Sequence, residues 1–313
     1  MPVPVSFSVL VPVHQAAATI GDALASVREQ TYAAHEILVC DDGSTDDLDA
    51  ALEPHRDAIV LVRQPNRGAS AARNAVLRRA SADFVVTLDA DDRFLPTRLE
   101  RLAGLAAARP ELDLLATDAA FVSGGHLGGR FHDRTAFAGE RQREAILDRC
   151  FLIAPAMRRS SLLAIGGYDE SLRTAEDWDC FIRLILAGAR AGLVDEALLE
   201  YRLRDTSLTA MRGETLHDRV RVLEKAAAQP GLSDDERRTL RVSLGRHRAR
   251  ALQQAARDAV ATGDPAARAR LVAVARSRDV GLRGRVGAAA GALLPRSARR
   301  LVDATLAEST GRP

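Results

Sequence analysis

The sequence predicts an α/β fold: a mostly parallel sheet flanked by helices, with a helical appendage at the C-terminal end. Three observations carry this reading. Short apolar runs alternate with helix-period segments over the first two thirds of the 313 residues. Those runs are apolar on both faces, as strands buried between helix layers must be. Beyond Met211 the alternation stops and only helical patterns remain.

The first strand is expected at 6–13 (SFSVLVPV). Thr19 is set to cap the next helix, with Asp22 three residues later and Ala23, Leu24 and Val27 on the apolar face. A second strand at 35–40 (HEILVC) ends in the polar loop Asp41-Asp42-Gly43-Ser44-Thr45-Asp46. A helix to about Arg56 and a strand at 58–62 follow. Asn66-Arg67-Gly68 turns the chain into a helix at 69–80, and 83–88 (DFVVTL) is another buried strand. That strand also ends in acid, Asp89-Ala90-Asp91-Asp92.

In 112–131 the glycines Gly124, Gly125, Gly128 and Gly129 predict hairpins or a flexible loop. A helix near 140–150 leads to a turn at Gly166-Gly167-Tyr168-Asp169. The helix at 175–187 opens with Glu176-Asp177-Trp178-Asp179, and strands are expected at 191–194 and 197–203. In the remainder Gly231, Gly263-Asp264-Pro265 and Pro295 punctuate four helices.

The expected division is a domain at 1–210 and a helical extension at 211–313. Charge follows the same line. The net charge of +2 hides 21 Lys+Arg against 11 Asp+Glu after Ala210, and the reverse excess before Met211. Every aromatic residue lies in the acidic part. The cysteines Cys40, Cys150 and Cys180 fit no zinc spacing, and their odd number argues against a disulfide framework. Reduced thiols, an N-terminal run broken by Pro12, His14 and Gln15, and no apolar stretch of about 18 residues point to a cytoplasmic protein without a spanning helix.

Two strands end in acidic clusters at the edge where open parallel sheets bind ligands. Gathered carboxylates repel one another unless a cation or hydrogen-bonding ligand offsets them. Asp89 and Asp91 either cap the next helix or hold a hard divalent cation, and their position directly after a buried strand favours the cation. Asp41 and Asp42 are either turn formers or acceptors for the imide N–H of a uracil ring. Glu176, Asp177 and Asp179 suit a helix N-terminus. A carboxylate beside Trp178, the one tryptophan, is equally a plausible general base. Arg73 can reach a phosphate. His14 lines a nucleotide pocket or is structural.

Three blocks together resemble the family 2 glycosyltransferases. The run SVLVPVHQAAATIGDALASVREQTYAAHEILVCDDGSTDD is similar to the family's opening strand, helix and nucleotide loop. NRGASAARNAVLRRASADFVVTLDADD resembles its second block, and GGYDESLRTAEDWDCFIRLILAG its third. They occur in the family's order over residues 6–209. The resemblance implies a GT-A, Rossmann-like fold and transfer of a sugar from a nucleotide-sugar, with UDP the expected nucleotide. It assigns Asp41, Asp42, Pro12, His14, Arg73 and Asp89 to the donor. Asp89 and Asp91 become the D-x-D pair for Mn2+ or Mg2+, with Asp91 the direct ligand. Asp177 becomes the base for an inverting displacement, with Glu176 and Trp178 on the acceptor side. The family often has Tyr-Asn where His14-Gln15 stand, which leaves the base preference open. The Gln-x-x-Arg-Trp motif and spanning helices of processive synthases are missing, so a non-processive enzyme is implied.

The acceptor is expected to be a carbohydrate or a lipid-linked saccharide, as in cell-surface polysaccharide or glycolipid synthesis. The basic helices, including 282–306, either lie on anionic membrane at the inner face or form a solvated bundle. No nucleic-acid motif accompanies the charge, so nucleic acid is not expected as a partner. A phosphoryl-transfer module is disfavoured, since the first strand lacks Asp-x-Asp and the sole lysine is Lys225. A catalytically silent sugar-nucleotide-binding protein is the remaining rival.

Overall fold

The computed structural model describes residues 4–203 and 212–293. The chain divides into two compact units, Met1–Thr206 and Ser207–Pro313. The boundary expected at 210–211, and the part of 282–306 beyond Leu293, lie outside the described residues.

The first unit is organised by four parallel strands, β1 (Phe7–Val13), β2 (Glu36–Asp41), β3 (Val60–Arg63) and β4 (Phe84–Thr87), in the order β3-β2-β1-β4. Helices α1 (Ala17–Arg28), α2 (Leu48–Leu52) and α3 (Ala69–Leu77) make the crossovers. The core forms because β1 and β4 are buried nearly throughout. Val9, Val11 and Val86 meet Ile20 and Leu24 of α1 in one cluster, and Phe7 packs on Phe84 with ring centroids 5.9 Å apart.

The chain leaves β1 for β2 on one side and later reaches β4 on the other. This topological switch opens a crevice at the carboxyl ends of β1 and β4. Pro12 lies at that opening. The Leu10 carbonyl accepts a hydrogen bond from Leu88 N at 3.0 Å. Two residues on, Pro12 faces the same side but beyond the paired length of β4, so its missing N–H breaks no ladder bond.

The rest of the sheet is mixed. β5 (Arg93–Phe94) and α4 (Arg98–Ala108) follow the acidic loop. β6 (Leu114–Ser123) and β7 (His126–Arg130) form the hairpin expected in the glycine-rich stretch. After α5 (Phe131–Arg134) and α6 (Gln142–Asp148), β8 (Ala156–Arg158) pairs antiparallel with both β4 and β6. α7 (Arg159–Ala164) and α8 (Glu176–Leu186) lead to β9 (Ala191–Arg202), which runs parallel to β6.

Some boundaries differ from expectation. The first helix starts at Ala17, not Thr19, because its cap is remote in sequence: Asp46 Oδ2 accepts from Ala17 N at 2.7 Å. The helix expected to reach Arg56 shortens to α2 plus a 3-10 turn at Glu53–Ala58, with Pro54 in its first turn. The two strands expected after 190 are one, β9, whose register shifts opposite Thr117–Asp118 and Asp118–Ala119.

The second unit is helical: α9 (Arg212–Ala227), α10 (Asp234–Thr262), α11 (Ala267–Arg276) and α12 (Leu282–Leu293). α10 begins with a capping box, Ser233 and Glu236 bonding each other's backbone N–H, and ends at Gly263 with φ +71°. Its core is mostly small: Ala256, Ala259, Ala267 and Ala288 pack with Leu271 and Val274. Among the described residues no helix is long and apolar enough to cross a membrane.

Candidate active site

The loops after β1 and β2 are stitched into one wall of the crevice. Gln15 sits at φ +54° and reaches across to the second loop. Its Oε1 accepts from Thr45 N at 2.8 Å and Asp46 N at 3.1 Å, and its Nε2 donates to Thr45 Oγ1 at 2.9 Å. His14 is exposed, with Nε2 2.8 Å from Asn66 Nδ2. Asp41 Oδ1 accepts from Ser44 N at 2.8 Å, and Arg63 Nε lies 3.5 Å from its Oδ2.

Asp42 is more fully engaged by this chain. Its Oδ1 accepts from Gln64 Nε2 at 2.7 Å and Arg67 N at 2.9 Å, and its Oδ2 accepts from Gly68 N at 2.7 Å. The side chain therefore pins the Asn66-Arg67-Gly68 turn, which aims α3 into the crevice. Gly43, at φ +77°, is required in this wall, since a Cβ there would stand 2.7 Å from Asn66 N.

Arg73, on α3, is the hub of the other wall. Its side chain is 4% exposed. Nη1 donates to Glu176 Oε1 at 2.5 Å and lies 3.6 Å from Asp177 Oδ1, while Nη2 donates to Asp89 Oδ1 at 2.8 Å. One guanidinium thus joins the end of β4 to the start of α8, and it also lies 5.4 Å from the Tyr168 ring centre. Burial works against the Arg73 charge, but Asp177, Asp89 and Glu176 outweigh it and raise its pKa. Arg73 Nε and the buried Tyr168 hydroxyl have no hydrogen-bond partner among the described residues.

The neighbouring Asn74 fixes the approach of α8. Its Oδ1 accepts from Tyr168 N and its Nδ2 donates to Tyr168 O, both at 2.9 Å. Gly167, at φ +74°, permits this clamp, because a Cβ there would meet Asn74 Oδ1 at 2.5 Å. Arg183 ties the same turn from α8. It donates to Ile165 O, Gly167 O and Asp179 Oδ2 at 2.9, 2.7 and 2.7 Å. α8 then opens at Ala175, held at φ +58°, a conformation non-glycine residues seldom adopt and one that clusters at functional sites.

Glu176 and Asp177 stand in the first turn of α8, where the helix dipole favours negative charge. Glu176 is buried against Arg73. Burial pushes the Asp177 carboxyl up to about 7; Arg73 opposes the rise, and Glu176 and Asp89 add to it. The carboxylate is still 45% exposed, so it is ringed by protein yet open at its mouth. Trp178, expected on the acceptor side, instead faces inward. It is 4% exposed, and its Nε1 donates to Ile146 O at 2.8 Å. Its position on the apolar face of α8, packed toward α6, is the physical reason.

Residues 8–163 match the sequence model of Glycosyl transferase family 2. The succinoglycan biosynthesis protein ExoU of Rhizobium meliloti (strain 1021) is 30% identical over 225 residues, covering 66% of this chain and 64% of that one. The chain belongs to the family 2 glycosyltransferases. A UDP-Glc:alpha-D-GlcNAc-diphosphoundecaprenol beta-1,3-glucosyltransferase, WfgD of Escherichia coli, is 38% identical over 95 residues, or 30% of this chain and 38% of that one. The chain spans less than two thirds of the length of these curated relatives. Two solved structures share its fold, which is of GT-A type. S. aureus TarS 1-349 in complex with UDP-GlcNAc has a TM-score of 0.65 at 21% identity, covering 97% of this chain and 88% of that one. The mannosyltransferase PcManGT from Pyrobaculum calidifontis, in complex with GDP-Man and Mn2+, has a TM-score of 0.59 at 21% identity, covering 98% and 86%.

The acidic loop of this family 2 chain presents two partly exposed carboxylates, Asp89 and Asp91. Asp89 is 44% exposed, with Oδ1 turned to Arg73, and Asp91 is half-buried two residues on. No cluster of three or more His, Cys, Asp or Glu side chains able to hold a metal occurs among the described residues. An oxygen-only pair of carboxylates fits Mn2+ or Mg2+, which complete their shell with substrate phosphates and water. Asp92 turns inward to brace the loop, its Oδ1 accepting from Arg202 N at 2.9 Å. Burial, with Asp89 next, pushes the Asp92 carboxyl up to about 8.

Sequence reasoning passed over Arg98, which is completely buried beneath this loop. Its Nη2 donates to Ala154 O at 2.6 Å and its guanidinium lies 4.5 Å from the Phe94 ring centre. Burial lowers its pKa to about 9 and Asp92 opposes that shift. Gln15, Asn74 and Gly167 were also unassigned. The only signal for them was their place inside the three blocks that resemble the family 2 glycosyltransferases.

Proposed function

We propose that the chain is a non-processive inverting glycosyltransferase that moves a sugar from a nucleotide-sugar to an acceptor hydroxyl. The observation that carries this reading is Arg73, which holds the loop carboxylate Asp89 and the α8 carboxylates Glu176 and Asp177 around one buried cation. UDP is the expected nucleotide, because the TarS relative in fold is complexed with UDP-GlcNAc and the WfgD relative is named for UDP-Glc. Pro12, His14 and Asp41 are the donor-side residues, and Asp42 supports them through the turn at Gly68. The acceptor is a carbohydrate or lipid-linked saccharide, by analogy with the relatives named for succinoglycan biosynthesis and for a diphosphoundecaprenol acceptor. Contact of the basic helices with the inner face of the membrane belongs to the same reading.

In this mechanism Asp177 acts as the general base. A carboxylate with a pKa of about 7 is near-ideal for accepting a proton at neutral pH. It takes the proton of the acceptor hydroxyl as that oxygen bonds to the anomeric carbon. The bond from that carbon to the nucleoside diphosphate breaks on the opposite face, which inverts the configuration. Arg73 keeps Asp177 and Glu176 in register with Asp89 and lowers the cost of gathering them. Asp91 and Asp89 would hold Mn2+ or Mg2+, whose charge offsets that of the departing diphosphate.

The test is thermal unfolding with UDP-, GDP- and dTDP-sugars, each with Mn2+ or with chelator. A nucleotide-sugar that binds only the native state raises the melting temperature. A shift that requires metal and favours one base supports the reading and names the donor. No shift with any donor, together with no release of nucleoside diphosphate in the presence of lipid-linked acceptors, overturns it.

A further inference from the structure

The second unit contains a cleft whose lining includes none of the candidate site residues described above. Its volume is about 510 Å3. Arg241, Gly245, Arg246 and Arg250 of α10 form one wall, and Asp279 and Gly281 from the segment before α12 form the other. Gly245 sets the width, since a Cβ there would stand 3.2 Å from Asp279 Oδ1. Among the described residues three guanidinium-bearing side chains therefore face the cleft, and one carboxylate, Asp279, lines it.

That arrangement is electrostatically unfavourable as it stands. Arg246 and Arg250 are one helical turn apart, a spacing at which like charges repel. Burial, Arg246 and then Arg219 of α9 all depress the Arg250 pKa. Among the described residues neither Arg241 nor Arg250 has a hydrogen-bond or ion-pair partner. Arginines with open guanidinium forks in a concave site suit a tetrahedral oxyanion, which can accept two parallel N–H bonds from each fork. The borders of the cleft are apolar. Val242 is 63% exposed in its lining, and Leu282, which follows Gly281, is 73% exposed.

We propose that this arginine cleft is a binding site for a phosphate group. The charge recognises the phosphate whether it is free or carried on a lipid, and the exposed Val242 and Leu282 suit the lipid-borne form. The inference does not depend on the transfer reaction, and its failure leaves the donor site untouched.

The test uses the full chain in chelator, which silences metal-dependent donor binding. Two probes separate the sources: inorganic pyrophosphate by calorimetry, and vesicles of phosphatidylglycerol with phosphatidylcholine, against phosphatidylcholine alone, by co-sedimentation. Arg241→Gln with Arg250→Gln removes the two forks without a partner among the described residues, and Val242→Asp places a carboxylate in the exposed lining without burying it. Arg238→Gln with Arg248→Gln removes the same charge from α10 outside the cleft. Both cleft variants are expected to weaken binding about tenfold or more, and the outside pair about twofold or less, as loss of charge-assisted hydrogen bonds predicts. Binding of pyrophosphate assigns the site to the phosphate itself, and binding of vesicles alone assigns it to a lipid headgroup. The proposal is overturned if neither probe binds. It is equally overturned if the outside pair loses as much as the cleft variants, since diffuse charge then explains the binding.

Discussion

Replacing Arg73 by methionine is the most informative perturbation of the first unit. Methionine fills much of the same space but leaves three carboxylates without their cation. The Arg73–Glu176 pair is buried on both sides, with side chains 4% and 10% exposed. Removing one partner of such a pair costs about 3–5 kcal/mol, because the other charge remains buried. Asp89 and Asp177 are 44% and 45% exposed, so solvent screens their loss to at most about 1 kcal/mol each. Together these give a loss of about 3–7 kcal/mol. With a urea m-value of about 2–3 kcal/mol/M, the midpoint falls by roughly 1–3.5 M.

A second readout separates the hub from ordinary packing. Arg73 holds the Asp177 carboxyl down against burial, so without it the Asp177 pKa rises above about 7. The pH–rate profile of R73M should therefore shift to higher pH. Arg73→Lys should restore much of the profile by returning the charge, but less of the stability, because an ammonium cannot fork to Glu176 and Asp89 at once. An R73M midpoint within about 0.3 M of the parent, with an unmoved pH profile, would refute the account.

Other expectations follow from the same geometry. Asp177→Asn should lower kcat by about 10²–10⁴-fold while donor affinity stays unchanged, measured by initial rates and calorimetry. In the parent, kcat/KM should rise with pH through about 7 as Asp177 ionises. Stability should move the opposite way. The folded pKa lies above the ordinary value of about 3.9, so the native state binds more protons in between, and the midpoint should fall as pH rises from about 4 to 7. Asp91→Ala should abolish the Mn2+ dependence of donor binding, and a melting shift that still needs metal would contradict its assignment. Gly167→Ala should destabilise by about 1–3 kcal/mol, since it combines a left-handed φ with a 2.5 Å clash against Asn74 Oδ1.

Much of this molecule was legible before any coordinates. The parallel strands could be read because buried strands are apolar on both faces, and the carboxylates because they terminate those strands. What escaped was long-range. The cap of α1 is Asp46, 29 residues from Ala17, so the local signal at Thr19 pointed to the wrong start. β9 reads as two strands because polar Asp195 and Glu196 interrupt its apolar pattern; its pairing with β6 skips those two residues and resumes at Ala197 after a register shift. Trp178 could be tied to Asp177 by adjacency, but successive helix positions point about 100° apart, and the tryptophan turns to α6. Arg98 gave no signal at all, since an arginine in a helix normally lies in solvent.

The Arg73–Glu176 contact joins residues 103 positions apart. At synthesis rates of about 5–20 residues per second, the stretch between them takes about 5–20 s to emerge from the ribosome. Throughout that interval β1 to β4 and α3 can assemble, but the guanidinium destined for their interior has only Asp89 to meet. The arginine therefore has reason to stay hydrated, and its helix loosely seated, until α8 arrives. Closing so long a loop gives little entropic help to either partner. The carboxylates around Arg73 are thus gathered only once α8 has been made, and the nascent chain lacks that cluster until its third acidic segment has emerged.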